Sequence, residues 1–200
     1  MNVFPESRIP ATLRQRPGIA GTGISRPRYT VKERISNMRE LENEIPEELD
    51  SLPKSARGAY ILEFRIKKAL LLRVGKFGEF RLNPGWYYYV GSAMGGLRGR
   101  LLRHVMGPEK PYWHIDYLTE NFGPERIWIF ISAKKIEDAL AQEAAKIAES
   151  AIPRFGCGDS PDAETHLFYS ESRLEFSDMN REIGNAEVIV VNLANRATRK

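Results

Sequence analysis

The sequence predicts an α/β domain of the α+β kind, with a small, mostly antiparallel central sheet flanked by helices. Three observations carry that expectation. Residues 59–90 alternate apolar and polar in places and are rich in β-branched and aromatic side chains, the pattern of half-buried strands. After Gly96 the apolar period lengthens to that of a helix, and the later run at 127–131 is short enough for a buried strand. The resulting order, β-β-β-α-α-β-α-β, opens on strands joined by short turns. Such strands pair antiparallel, and helices then cover them.

The elements follow in order. Residues 1–29 hold Pro5, Pro10, Pro17 and Pro27, several glycines and almost no periodic apolar pattern, which reads as a loosely attached basic arm. Residues 30–49 read as a helix, with Val31, Ile35, Met38 and Leu41 near helical spacing and Thr30 and Glu33 placed as a capping box. Its end is acidic and contains Pro46, and 51–57 is a linker. Strands are predicted at 59–66 and 69–74, joined by a Lys67-Lys68 turn, and a very aromatic third strand at 85–91. Residues 77–84, with Gly78 and Asn83-Pro84, read as a turn region. Helices follow at 96–106 and 113–121, a buried strand at 127–131, a helix at 135–151, a loop at 153–164 and a short strand at 165–170. An apolar run at 188–193 ends the chain before a few basic residues. The chain thus divides into 1–57, 58–170 and a C-terminal extension at 171–200.

Composition narrows the classes. The 200 residues suffice for one domain and tails. No apolar run approaches the roughly 18–20 residues that cross a bilayer, so no membrane partner is expected. Residues 1–28 carry five arginines and no apolar core, unlike a secretory signal. The single cysteine, Cys157, excludes an internal disulfide and a cysteine-rich zinc site, and fits a reducing, cytoplasmic setting. A net charge of +4 and a pI of about 9.2 permit a polyanionic partner. There is no phosphate loop of the NTPase kind, and the glycines at 18–23 follow no strand, so no small-molecule cofactor is expected.

Three groups of residues carry chemistry. On the helix after Gly96, Leu97, Leu101, Leu102 and Val105 share one side, while Arg100, Arg103 and His104 share the next. Arginine forks match phosphate oxygens, although a solvated basic face gives the same pattern. On the helix at 135–151 the apolar stripe is Ile136, Ala139, Leu140, Ala144, Ile147 and Ala148, and Glu143 falls inside it. A carboxylate there costs several kcal/mol unless it is paired or holds a metal. Glu137 shares the angle but lies in the first turn, where the helix dipole favours an acid. Tyr60 lies on the first strand, and Tyr87 and Tyr89 share one face of the third, opposite Tyr88. Strand tyrosines are usually core, but one beside arginine and a metal could orient or deprotonate a water.

Gly58-Ala59-Tyr60 followed by Tyr89-Val90-Gly91 resembles the motif pair that names the GIY-YIG nucleases, a family of homing endonucleases and of the nuclease of bacterial excision repair. Ala59 stands where the family name has isoleucine. The arginine–histidine helix and the position of Glu143 also resemble the family, over residues 58–169 in all. A small prokaryotic branch of unknown function is more similar still, through Pro84-Gly85, residues 113–118, Phe155-Gly156 and His166-Leu167-Phe168. That branch usually carries further cysteines before the last histidine. Here the loop has only Cys157, so no metal or redox role is expected of it.

The resemblance implies a divalent-metal-dependent endonuclease, acting on DNA more than RNA. In it Glu143 holds Mg²⁺ or Mn²⁺, Arg100 clamps the scissile phosphate, and Tyr60 positions or deprotonates the attacking water. Tyr89 and His104 support that network. Arg98, Arg103, Lys110, His114 and the N-terminal arm contact nucleic acid. The competing expectation is a nucleic-acid-binding module that kept this fold without turnover. His114 pairs either with Asp116 or with substrate, and His166 reads as structural.

Overall fold

The computed structural model describes residues 45–156 and 165–193. The predicted helix start and capping box at Thr30 lie outside them, as do the basic arm and the loop with Cys157. The described chain runs through α1 (Glu47–Asp50), β1 (Gly58–Ile66), β2 (Leu70–Val74), β3 (Gly78–Leu82), β4 (Gly85–Ser92), α2 (Leu97–Met106), α3 (His114–Asn121) and β5 (Arg126–Ile131). It continues through α4 (Glu137–Ile147), β6 (Ser150–Ala151), β7 (Leu167–Ser170), a 3-10 turn at Ser177–Asn180 and β8 (Glu187–Asn192).

Six strands form one sheet in the order β6-β7-β4-β1-β5-β8, and every neighbouring pair is antiparallel. The predicted α+β class, a mostly antiparallel sheet flanked by helices, is therefore the class observed. β1 is central, between β4 and β5, which explains why eight of its nine residues are buried. Its alternation separates the two faces. Tyr60, Leu62, Phe64 and Ile66 pack with Tyr87 and Tyr89 under Leu97 and Leu101 of α2 and Ile115 and Leu118 of α3. Ala59 and Ile61 pack with Tyr88, Trp128 and Phe130 under Leu140 and Ala144 of α4 and Phe176. Each fully buried large side chain contributes about 1.5–3 kcal/mol of transfer free energy, so both faces are needed to offset the entropy of ordering.

Three elements differ from the expected layout. The opening strands do not form a meander: β2 leaves β1 and pairs with β3, a strand within the expected turn region, as a separate hairpin. Leu72 and Val74 dip into the core while Leu71 and Arg73 face out, so this hairpin is a flap laid on the helix side of the sheet. The apolar run near the C-terminus is strand β8, paired along the whole of β5. Segment 171–186 also packs on the domain, where Arg173 bonds both oxygens of the fully buried Glu63. No helix among the described residues is long and apolar enough to cross a membrane.

Candidate active site

The site forms where the ends of β1 and β4 meet α2. Tyr60 lies opposite Gly91 in the β1–β4 register, and its ring covers the glycine. A Cβ on Gly91 would stand 2.6 Å from the Tyr60 hydroxyl and 2.7 Å from Cζ, so the tyrosine requires the missing side chain. Tyr89, paired with Leu62, stands on the same face as Tyr60.

From α2, His104 brings Nε2 to 2.8 Å from the Tyr60 hydroxyl. Both residues are sealed from water, at 0% and 1% exposure. Arg100, one turn earlier on α2, reaches the same hydroxyl. Burial pushes the Tyr60 hydroxyl well above its ordinary value, and Arg100 is the main group pulling it down. Tyr89 is likewise raised by burial. Burial, then the charge of Arg100, lowers His104 to about 4, so its imidazole is neutral at physiological pH. Arg100 has no carboxylate partner among the described residues. Its guanidinium lies 4.7 Å from the centre of the Trp113 ring.

The acid beside this group is Glu137, not Glu143. Glu137 opens α4, accepts a hydrogen bond from the Ser92 hydroxyl at the end of β4, and raises both Tyr60 and Tyr89 through its charge. His166 Nδ1 stands 3.9 Å from its other oxygen. Glu143 instead pairs with Lys146 at 2.6 Å. The physical reason is the rotation of α4 on the sheet. Ile136, Leu140 and Ala144 face the core, whereas Ala139 and Ile147, the helical neighbours of Glu143, are exposed. Glu143 is therefore on the rim of the packed stripe, and the α4 acid that bears on the site tyrosines is the one in the first turn.

The remaining predicted residues divide. Arg103 forms an ion pair at 2.7 Å with Asp116, which is fully buried. Asp116 also accepts from the Tyr112 and Trp113 amides, so its partner is Arg103 and not His114. His114 accepts from the Gly156 amide at Nδ1, and its ring meets Phe77, Phe80 and Phe155. Its Nε2 is buried without a partner among the described residues. Gly156 closes the floor: φ is +83°, and a Cβ there would stand 3.1 Å from Tyr89 and 3.0 Å from His166. Lys110 is exposed near α3, and its carbonyl accepts from Arg103. Arg98 lies across the helix and pairs with Asp50 of α1, so it is not part of the group around Tyr60.

The structure thus brings together Tyr60, Tyr89, Arg100 and His104, with Arg103, Lys110 and His114 beside them. It leaves Arg98 and Glu143 apart. Sequence reasoning missed Ser92 and gave Glu137 only a dipole role, because an acid in a first turn has an ordinary explanation. The buried carboxylate–arginine cluster at Glu63 also escaped it, though a lone Glu in the middle of an apolar strand is a visible signal. Among the described residues, no three side chains of the His, Cys, Asp and Glu types gather as a metal cluster.

These features define an α+β domain with a buried tyrosine–histidine pair, an arginine beside it and an acid at its edge. The chain belongs to the family described as a domain of unknown function, DUF123, whose model matches residues 59–187. No curated protein and no solved structure matches the chain.

Proposed function

We propose that this domain is a divalent-metal-dependent endonuclease that hydrolyses phosphodiester bonds in nucleic acid, DNA rather than RNA, in a cytoplasmic setting. The observation that carries the reading is the convergence of Arg100 and His104 on the Tyr60 hydroxyl, with Glu137 at the edge of the same group. The likeness of Gly58-Ala59-Tyr60 and Tyr89-Val90-Gly91 to the GIY-YIG nucleases supports it and is the reason for preferring DNA.

Each residue has a role that its environment suits. Arg100, free of any carboxylate among the described residues, clamps a non-bridging phosphate oxygen and stabilises the charge that builds there. The Tyr60 hydroxyl orients the attacking water. Burial keeps that hydroxyl protonated, so it takes a proton only while releasing its own. The acceptor is Nε2 of His104, which is neutral at physiological pH. One proton then moves along two hydrogen bonds, from water to the phenol oxygen and from the phenol to the imidazole. This direction places the ring hydrogen of His104 on Nδ1, a buried atom with no partner among the described residues. Tyr89 walls the site, and Arg103 and Lys110 supply positive charge for the backbone.

The donor chemistry fits a hard divalent cation. Glu137 offers a half-buried carboxylate beside the Ser92 hydroxyl, and Mg²⁺ or Mn²⁺ binds through one or two carboxylates while keeping several waters. Glu137 would hold it. Bound there, the ion supplies neutralisation of the phosphate and of the leaving oxygen.

A nucleic-acid-binding module without turnover is the second reading. The complete burial of Tyr60 favours it, since the hydroxyl must meet water to act. The test is cleavage of labelled duplex, single-stranded, branched and RNA substrates with Mg²⁺ or Mn²⁺, by wild type, Arg100→Ala and Tyr60→Phe. Cleavage lost in chelator and in both variants supports the endonuclease. Salt-sensitive binding without cleavage in any condition replaces it with the binding module.

A further inference from the structure

Beside the Tyr60 group the protein exposes large aromatic rings. Tyr112 is 76% exposed, Trp113 43% and Phe77 49%. Exposed rings of this size, gathered on one surface, mark an interaction site more often than chance. These rings are also held in place. The amides of Tyr112 and Trp113 both donate to one oxygen of Asp116, at 2.9 and 3.1 Å. The same oxygen binds Arg103, whose guanidinium lies 5.3 Å from the centre of the Trp113 ring. Arg100 lies 4.7 Å from that ring, and Tyr112 stands against Trp113 edge-on at 5.3 Å. Phe77, at the tip of the β2–β3 flap, packs edge-on against His114, the next residue along from Trp113.

Helix capping does not require these two side chains. Asp116 could cap α3 with any side chain at 112 and 113, because it bonds their amides alone. The fold leaves two rings at the surface, Tyr112 more open than Trp113, next to Arg100, which lies over the Trp113 ring and has no carboxylate partner among the described residues. Flat, ordered rings flanked by guanidinium groups are the chemistry that receives an unstacked nucleobase while its backbone phosphates meet the arginines. A paired base in a duplex offers only its edges in the grooves, and cannot lie on such a ring.

We infer that Tyr112 and Trp113 form a stacking platform for an unpaired base of the substrate, so the site takes single-stranded nucleic acid or a junction between single strand and duplex. This inference rests on the nucleic-acid reading of the same site and adds the substrate class. Tyr112 and Trp113 are positioning residues: they place the strand so that a neighbouring phosphate meets Arg100.

The experiment measures binding of the full chain, in chelator, to three labelled oligonucleotides: a single strand, a blunt duplex of the same sequence, and that duplex with a single-stranded flap. Wild type is compared with Tyr112→Ala, Trp113→Leu and Trp113→Phe, each checked for a cooperative unfolding transition. The expected result is single-strand and flap binding about tenfold or more tighter than duplex binding. Tyr112→Ala and Trp113→Leu lose about tenfold on the strands with unpaired bases, the scale of one base–aromatic stack, and little on the blunt duplex. Trp113→Phe restores most of the loss. Tyr112→Ala carries most weight, because Tyr112 is the more exposed ring and Trp113 is the one aromatic ring it meets among the described residues. Equal affinity for single strand and blunt duplex, or full single-strand affinity in folded Tyr112→Ala and Trp113→Leu, overturns the platform even where metal-dependent cleavage stands. A preference for unpaired bases without any cleavage supports the platform and overturns turnover alone. Binding to none of the three overturns both.

Discussion

The Tyr60 hydroxyl lies 2.8 Å from Nε2 of His104, and the two side chains, on β1 and α2, are closed off from water. That bond joins the central strand to the helix that carries Arg100. Burial, then the charge of Arg100, disfavours a second proton on the His104 ring.

Stability should therefore depend on His104 between its two pKa values. In the folded domain the value is lowered to about 4, whereas the unfolded chain titrates near the ordinary value of about 6.5. Below 6.5 the unfolded state binds the proton and the folded state does not. The His104 contribution is complete above about 6.5 and is lost as pH falls toward 4, at a rate of up to about 1.4 kcal/mol per pH unit. Denaturant midpoints of wild type and His104→Gln at pH 7 and pH 5 provide the comparison. Wild type should lose about 2 kcal/mol more than the variant over that interval; equal losses would remove His104 as the source.

Gly91→Ala should disturb the site through Tyr60. The added methyl would stand 2.6 Å from the hydroxyl and 2.7 Å from Cζ, closer than van der Waals contact allows. The ring is fully buried under α2, so overpacking should cost about 1–3 kcal/mol. The Tyr60–His104 bond should break as well. Thermal unfolding reads the first effect. The second appears as a rise in the His104 pKa followed by its ring protons in NMR. A variant with wild-type stability and an unchanged His104 titration would show that the ring yields freely.

How far the sequence reaches can be judged from these residues. Arg100 and His104 are legible in the sequence from their i and i+4 spacing along a helix, whereas Tyr60 and Tyr89 stand out only through the resemblance of their two motifs to the GIY-YIG pair. Which α4 acid contacts Ser92 and bears on the tyrosines is not legible in the sequence. Glu137 and Glu143 fall within one stripe angle, and the choice is made by how Leu140 and Ala144 settle on the sheet, a tertiary event. Strand β8 reads only as an apolar run, since nothing local says that β5 leaves an edge open for it. The β2–β3 flap failed for a similar reason. The Lys67-Lys68 turn predicts paired neighbours, but long-range pairing of β1 with β4 takes the place β2 would have had.

Glu63 and Arg173 predict an asymmetry in stability. Glu63 is fully buried on β1 and receives three hydrogen bonds from Arg173, which is partly exposed. Arg173→Ala strands that carboxylate, with Arg126 at 4.0 Å the one cation left to it among the described residues, and should cost about 3–5 kcal/mol. Replacing both, Glu63→Leu with Arg173→Met, removes the charge together with its partner and should cost less than Arg173→Ala alone. Chemical denaturation of the three proteins checks the order. A double variant less stable than the single one would mean that the pair contributes net stability beyond its own desolvation.

The two acids of α4 separate most clearly in activity. Glu137 bonds Ser92 at the end of β4 and acts on both site tyrosines, while Glu143 pairs with Lys146 on the rim of the helix. Glu137→Gln keeps the shape and the hydrogen bond from Ser92 but removes the charge that would hold a divalent ion. It should weaken metal binding and metal-dependent cleavage by about 10–100-fold or more, with little change in unfolding temperature. Glu143→Gln loses only a surface ion pair worth about 0–1 kcal/mol, and should cleave as wild type does. Comparing both variants over a range of Mn²⁺ concentrations adds a second readout, because weakened metal binding shifts the concentration needed for half-maximal rate. If Glu143→Gln were inactive and Glu137→Gln active, the metal would have to be held by the acid that pairs with Lys146 and not by the one that bonds Ser92, and the proposed role of Glu137 would fall.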